Sequence, residues 1–231
     1  MNFLYLYLAL APALAIALYI YWKDVNEKEP ISYLIGFFLL GALTCIPAGI
    51  TNGIGGSVLG FEHGQSHDIV RSFFMAFFVV GLGEELYKFL ALMFVAFRMK
   101  NFNEPFDGIV YSVMIGLGFA SLENVFYVFD GGIGVAFMRT LTAVPMHAAL
   151  AIIMGYHVGL AKFQREENRI DRAILGLIYA ILIHGAYDFF LFQNASILLS
   201  MMVFPLMGWA FFLSRKSIKL HLAAKTLTPK K

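Results

Sequence analysis

Glu84 and Glu85 stand side by side within the apolar run 70–99, and Lys88 follows in the same run. A carboxylate in such a stretch is costly to bury, so it marks a functional site by default. Glu84 and Lys88 are four residues apart, share a helix face and pair in the favourable Glu-before-Lys order. Glu85 is turned about 100° away and needs a partner from elsewhere in the chain, or a proton. Two close carboxylates cannot both ionise. One then serves as base and the other as acid, which is what hydrolysis of an amide needs beside a stabiliser for the oxyanion.

Other polar residues interrupt apolar runs at similar depth. They are Glu123 and Asn124, His147 after Pro145, and the pair His184 and Asp188, four apart on one helix face. Polar groups placed by accident would scatter in depth, so these point to one polar site inside a bundle. Two histidines and a glutamate are also a catalytic zinc set with an open fourth position for water. Glu123, His147 and His184 fit that set, with Glu84 or Glu85 as general base and Asp188 orienting His184. No HExxH motif is present. Zinc and metal-free glutamate catalysis therefore both stay open.

The elements that must hold these residues are transmembrane helices. The chain has 231 residues, of which 60% are hydrophobic and 14% charged; soluble domains carry about 25% charged residues. This composition specifies an all-α polytopic membrane bundle, and the length suits a single domain over 1–231. The one cysteine, Cys45, excludes an internal disulfide. No nucleic-acid motif or internal repeat is present. Hydropathy places seven spans near 3–22, 31–50, 69–98, 108–129, 135–161, 173–192 and 197–213, the fifth interrupted by Pro145. The third is about 45 Å long, so it tilts or breaks near Gly81 and Gly83. The stretch 51–68 is polar and Gly-rich and reads as the longest loop. Fourteen of the seventeen Lys and Arg residues fall on one set of connections, including the basic tail 214–231. By the positive-inside rule the N-terminus is outside and the C-terminus cytoplasmic.

The sequence resembles the PrsW family of polytopic membrane proteases. The matching motifs are EExxK as Glu84 to Lys88, FxxxE as Phe119 to Glu123, and HxxxD as His184 to Asp188. A KD…EP loop from Lys23 to Pro30, FDGIVY from Phe106 and GFASLEN from Gly118 match as well. The Gly-rich stretch 51–68 is the least family-like part. The family is related in pattern to CAAX-prenyl endopeptidases and bacteriocin-immunity-like membrane proteins. The resemblance implies an intramembrane endopeptidase that makes the first, outer cut in an anti-sigma factor, starting regulated intramembrane proteolysis in envelope stress. Its partners would be a membrane-anchored protein substrate and the bilayer, not nucleic acid.

Two other functions fit the same residues. A proton-coupled transporter would relay protons through Glu85, Glu123 and His184, and a scaffold would keep a dead site. Several further residues read as structural. Lys88 is a counter-ion for Glu84, Asn124 bonds across helices, and His157 packs. Gly155 and Gly159 form a GxxxG packing signal. Phe73, Phe74, Phe77 and Phe78 face lipid or pack, and His63 and His67 are solvated.

Overall fold

A computed structural model of the chain describes residues 3–25, 27–61, 66–163 and 168–225. His63 and Arg165 lie outside the described residues, as do Lys230 and Lys231 at the end of the tail. Among the described residues there is no β-strand, and the molecule is an all-α polytopic membrane bundle. Its helices are α1 Phe3–Lys23, α2 Ile31–Leu59, α3 Ile69–Phe74, a π-helical segment Met75–Gly81, α4 Leu82–Phe94, α5 Pro105–Leu141, α6 Ala143–Phe163, α7 Arg169–Phe192, α8 Ile197–Met201 and α9 Val203–Lys225.

Five stretches among the described residues are long and apolar enough to cross a membrane: Phe3–Lys23, Ile31–Leu59, Pro105–Phe163, Arg169–Phe192 and Ile197–Ala223. Pro105–Phe163 comprises α5 and α6, which run antiparallel: Gly108 meets Gly155 and Gly159, and Gly116 meets Ala151. A count of seven spans requires α5 and α6 to cross separately and the helical run of α3, the π segment and α4 to cross as well.

Helix α5 is the central post. Residues 106–121 are buried on every side, as expected of a helix that is apolar all round. It packs against α1, α2, α4 and α6. The approach of α2 is backbone to backbone, with Gly41 against Ile115 and Gly118 against Phe38. Small residues permit that closeness, and in lipid close packing replaces the missing hydrophobic drive between helices.

Several boundaries differ from the sequence expectation. Helix α2 does not stop near residue 50 but continues to Leu59 and ends at Gly60, whose φ of 59° caps it. The Gly60 and Phe61 N–H groups close back on Ser57 and Gly56 carbonyls, the usual glycine stop. Glycines made this stretch look like a loop, yet packing against the π segment, including Gly55 on Val79, keeps it helical. The break expected after residue 129 is instead a kink at Gly132 (φ 72°, ψ −161°), beyond which α5 continues to Leu141. Only glycine adopts that backbone conformation readily. Pro145 does not interrupt a span: α6 begins at Ala143, so Pro145 sits in the first turn, where its missing N–H is no loss. The run from Ile69 is not broken at Gly81; it widens into the π segment and ends at Phe94. Helix α9 carries on past residue 213 to Lys225.

The two ends of the bundle are tied differently. At one end Tyr111 donates to Glu29, and Asp107 Oδ2 accepts from the Asn103 and Glu104 amides at 2.8 Å each. The two stretches read as separate matches, the 23–30 loop and FDGIVY, therefore touch through Glu29 and Tyr111. Burial pushes the Glu29 carboxyl above the ordinary carboxylate range, against the lowering effect of the Tyr111 hydrogen bond. At the other end, Ser66 pairs with the α7–α8 connection: its N–H donates to Phe192 O and its carbonyl accepts from Asn194, both at 2.9 Å.

The backbone contact of α2 with α5 is directly testable. Gly41→Ala and Gly118→Ala each place a Cβ against the neighbouring backbone, and each is expected to destabilise by about 1–3 kcal/mol. Gly36→Ala meets nothing within 4 Å and should hold or raise stability. Thermal unfolding in detergent of the three variants decides this.

Candidate active site

The chemistry is built from four helices. Helix α4 contributes Glu84, Glu85 and Lys88 from its first two turns, α5 contributes Glu123, α6 His147, and α7 His184 and Asp188. The π segment stands directly before the glutamates, a location typical of functional sites. Its last residue, Gly81, lies so close to α7 that an added Cβ would stand 3.1 Å from the Gly185 nitrogen. That approach brings Glu85 onto His184.

Lys88 is the hub. Its Nζ lies 2.8 Å from Glu85 Oε1, 3.5 Å from Glu84 Oε2 and 3.1 Å from His147 Nδ1, with the Phe119 ring centroid 3.9 Å away. A lysine only donates, so His147 Nδ1 accepts, and Nε2–H donates to Glu123 Oε2 at 3.0 Å. Glu123 Oε2 also takes 2.7 Å from Arg139 Nη2, and Arg139 Nε reaches Asn124 Oδ1 at 2.9 Å. Asn124 in turn donates to the Ala9 carbonyl of α1. Glu85 Oε1 lies 2.8 Å from His184 Nδ1. The opposite ring nitrogen, Nε2, faces Asp188 Oδ2 at 3.4 Å and Glu84 Oε2 at 3.9 Å. Asn52 of α2 completes the set, donating to Glu84 Oε1 at 3.1 Å.

These side chains open onto a cleft of about 1150 Å³. Glu84, Glu123, Arg139, His147, His184 and Asp188 line it; Glu85 and Lys88 do not. The cleft extends past apolar walls to Phe61, Phe192 and Phe204. Asp188 is buried, and its Oδ2 accepts no hydrogen bond.

All six residues expected from sequence meet here, as does Lys88. The geometry distributes them differently from the expectation, however. The expected ligand trio was Glu123, His147 and His184. The trio whose ligand atoms all lie within 4.8 Å of one another, among the described residues, is Glu84, His147 and His184. Glu123 is engaged by Arg139 and His147 instead. Of the two glutamates expected to supply the base, Glu84 lines the cleft, whereas Glu85 does not and holds the back of His184, the place expected for Asp188. Two members were missed. Arg139 falls within the expected span 135–161, and the cost of burying it is the same signal as for the glutamates. Asn52 was lost because its stretch read as a loop. His157 stacks on Tyr179 at 5.4 Å, away from the cleft.

The donor set fits a divalent cation. It offers two imidazoles and a carboxylate, with the unbonded Asp188 oxygen alongside. Two fixed cations, Lys88 and Arg139, face four carboxylates, Glu84, Glu85, Glu123 and Asp188, so further positive charge offsets an excess of negative charge. Both ring nitrogens of His147 already have partners, so ligation there replaces one of them.

Comparison with known proteins identifies the family. The family model described as PrsW family intramembrane metalloprotease matches residues 29–213. The chain is 33% identical over 199 residues to Protease PrsW of Bacillus subtilis (strain 168), covering 85% of this chain and 87% of that one. It is 36% identical over 197 residues to Protease PrsW of Oceanobacillus iheyensis, with coverage of 85% and 87%. A third relative, Protease PrsW of Clostridioides difficile (strain 630), is 36% identical over 174 residues, with coverage of 73% and 71%. No solved structure matches. A family match over most of the chain and relatives at 33–36% identity lead to one assignment: the chain belongs to the PrsW family of intramembrane metalloproteases.

Proposed function

We propose that the cleft hydrolyses a peptide bond in a membrane-anchored protein, with Glu84, His147 and His184 holding a zinc ion. The observation that carries this is the convergence of those three side chains beside the unbonded Asp188 oxygen. When bound, zinc supplies Lewis acidity and a nucleophilic hydroxide at neutral pH. Nitrogen and oxygen donors suit it.

The chain's own residues do the rest. Glu85 takes the His184 Nδ1 proton in a hydrogen bond, which fixes the tautomer and leaves Nε2 free toward the cleft. Asp188 Oδ2, on that same side, takes the proton of the attacking water and returns it to the leaving amine. Arg139 spends N–H groups on Glu123 and Asn124 and retains others of its five for the carbonyl oxygen as it gains charge. Lys88 neutralises the glutamate pair from behind. The relay-transporter alternative loses its support, because the family match points to a membrane peptidase. The substrate class that fits the family resemblance is an anti-sigma factor, cut on the outer side to start regulated intramembrane proteolysis.

The roles separate by mutation, using labelled casein in detergent as the cleavage probe. Asp188→Asn is expected to lower the rate by about 10²–10⁴-fold and keep the metal. Glu85→Gln can still accept the His184 proton, so it should retain a measurable rate; complete loss with normal folding would return the base to Glu85. His147→Ala and His184→Ala should abolish metal content measured per protein. Wild-type enzyme active without metal and indifferent to chelator decides for metal-free glutamate catalysis. Wild type that binds zinc yet cleaves nothing would support the scaffold.

Lys88→Met leaves Glu85 and Glu84 uncompensated in the core. The expected cost is about 3–5 kcal/mol, read as a loss of folded protein in the membrane. Normal abundance with lost activity would move Lys88 into the reaction itself.

The basic residues motivate an orientation with the N-terminus outside and the C-terminus cytoplasmic. The cleft end that holds Phe61 and Phe192 then faces outward. Reporter fusions after Gln65 and Lys231 should read opposite compartments; the same compartment for both rejects the seven-span count.

A further inference from the structure

A second concavity shares no residue with the catalytic cleft. It is a groove of about 600 Å³ between α1 and α9, both of which pack on α6. Helical periodicity assembles its walls. Ile16, Tyr19 and Ile20 share one face of α1, and Gly208, Phe211 and Arg215 share one face of α9. Small residues give it depth. Ala148 and Ala149 of α6 form the floor, and a Cβ at Gly208 would meet nothing within 4 Å. The one hydroxyl on the floor side, Ser214 Oγ, is committed within the protein, to the Ala149 and Ala210 carbonyls at 3.1 and 2.8 Å.

The groove is graded from apolar to basic. The end that holds Ile16, Pro145 and Gly208 carries no charge. At the other end Arg215 joins the lining, and Lys219 follows it one turn on along the same face of α9. Lys23 stands one turn beyond Tyr19 on α1, with its Nζ 5.6 Å from the centroid of that ring. No carboxylate lines the groove. Among the described residues Arg215 also makes no ion pair, hydrogen bond or ring contact. Other arginines are engaged: Arg71 by Gly60 O and Asp68, Arg98 by the Phe94 ring and Arg139 by Glu123. From Gly208 to Ile218 the helix rises about 15 Å, half of a hydrocarbon core of about 30 Å. The groove thus has the depth of one leaflet.

We propose that this groove binds an anionic phospholipid, with one acyl chain laid on Ala148 and Ala149 and the phosphate held at Arg215 between Lys23 and Lys219. The planar guanidinium matches two phosphate oxygens at once, and basic pockets between membrane helices select anionic head groups. The bound lipid ties α1 to α9 across α6 and fixes the basic end of the bundle at the membrane surface. The proposal is independent of the proteolytic assignment, because the groove and the cleft have no residue in common.

The test titrates full-length protein, stripped of lipid in neutral detergent, with phosphatidylglycerol, phosphatidylcholine or inorganic phosphate, and counts bound lipid by native mass spectrometry. Wild type should take up phosphatidylglycerol in preference to phosphatidylcholine, and inorganic phosphate at equal concentration should not compete. Arg215→Gln should weaken phosphatidylglycerol binding about fivefold. Gly208→Leu fills the apolar end without touching the basic one and should weaken it as well. Arg98→Gln, at another exposed arginine, should leave binding unchanged. Equal uptake of the two lipids shows that head-group charge is not read and overturns the proposal. Competition by inorganic phosphate, or no effect of Gly208→Leu, overturns it by removing the acyl chain. An Arg98→Gln loss as large as that of Arg215→Gln overturns it in favour of a diffuse basic surface.

Discussion

A lysine ammonium buried among four helices is the constraint from which the rest of the site follows. Lys88 is almost fully shielded from solvent, and water cannot compensate its charge. It must be met by carboxylates, and Glu85 at 2.8 Å does most of this. Once Glu85 is committed, its remaining capacity goes to His184, and His147 is held by the other side of the ammonium. One cation thus orients two imidazoles on different helices. Replacing such a network by apolar side chains can leave a protein as stable or more so, so stability alone does not account for it. Its product is position: ring nitrogens aimed at one point in the cleft.

The scaffold is arranged to keep those positions fixed. Helix α5, buried throughout its first half, has α1, α2, α4 and α6 packed around it, and glycines at the crossings bring the helix axes close. Glu123 extends from the same helix, and the kink at Gly132 lets that helix bring Arg139 back onto its own glutamate. The π segment does the complementary work on the other side, seating the start of α4 against α7. Helices thus carry the carboxylates, imidazoles and Arg139 of the cleft, while the cleft walls toward Phe61 and Phe204 are apolar.

Most of the site was legible in the sequence because charge in an apolar run is conspicuous. Glu84, Glu85, Glu123, His184 and Asp188 stood out for that reason, and their shared depth implied one site. What depth cannot give is rotation about each helix axis. Whether Glu84 or Glu85 faces the cleft, and whether Glu123 or Glu84 joins the histidines, depends on angles set by Gly81 and the π segment. Composition misled at residues 51–59, where glycine suggested a loop but tertiary packing held a helix. Pro145 misled in the opposite sense: proline signals a break in mid-helix but not in a first turn. Arg139 was visible as a buried charge, yet pairing it required the turn at Gly132, which glycine content alone does not locate.

The order of the polar residues along the chain has a consequence for biogenesis. Glu84, Glu85 and Lys88 lie within one helix and can neutralise one another as that segment leaves the ribosome. Glu123 emerges before Arg139, and both belong to α5, so their pairing waits only for the chain to turn at Gly132. His184 and Asp188 are made last and come from α7. Until α7 has been synthesised and packed, Glu85 lacks its imidazole and the constellation lacks both the His184 ring and the Asp188 carboxylate. A nascent chain that stops short of α7 therefore holds Glu84, Glu85, Lys88, Glu123 and His147 without the groups that complete their cluster, which assembles only when nearly all of the polypeptide is in place.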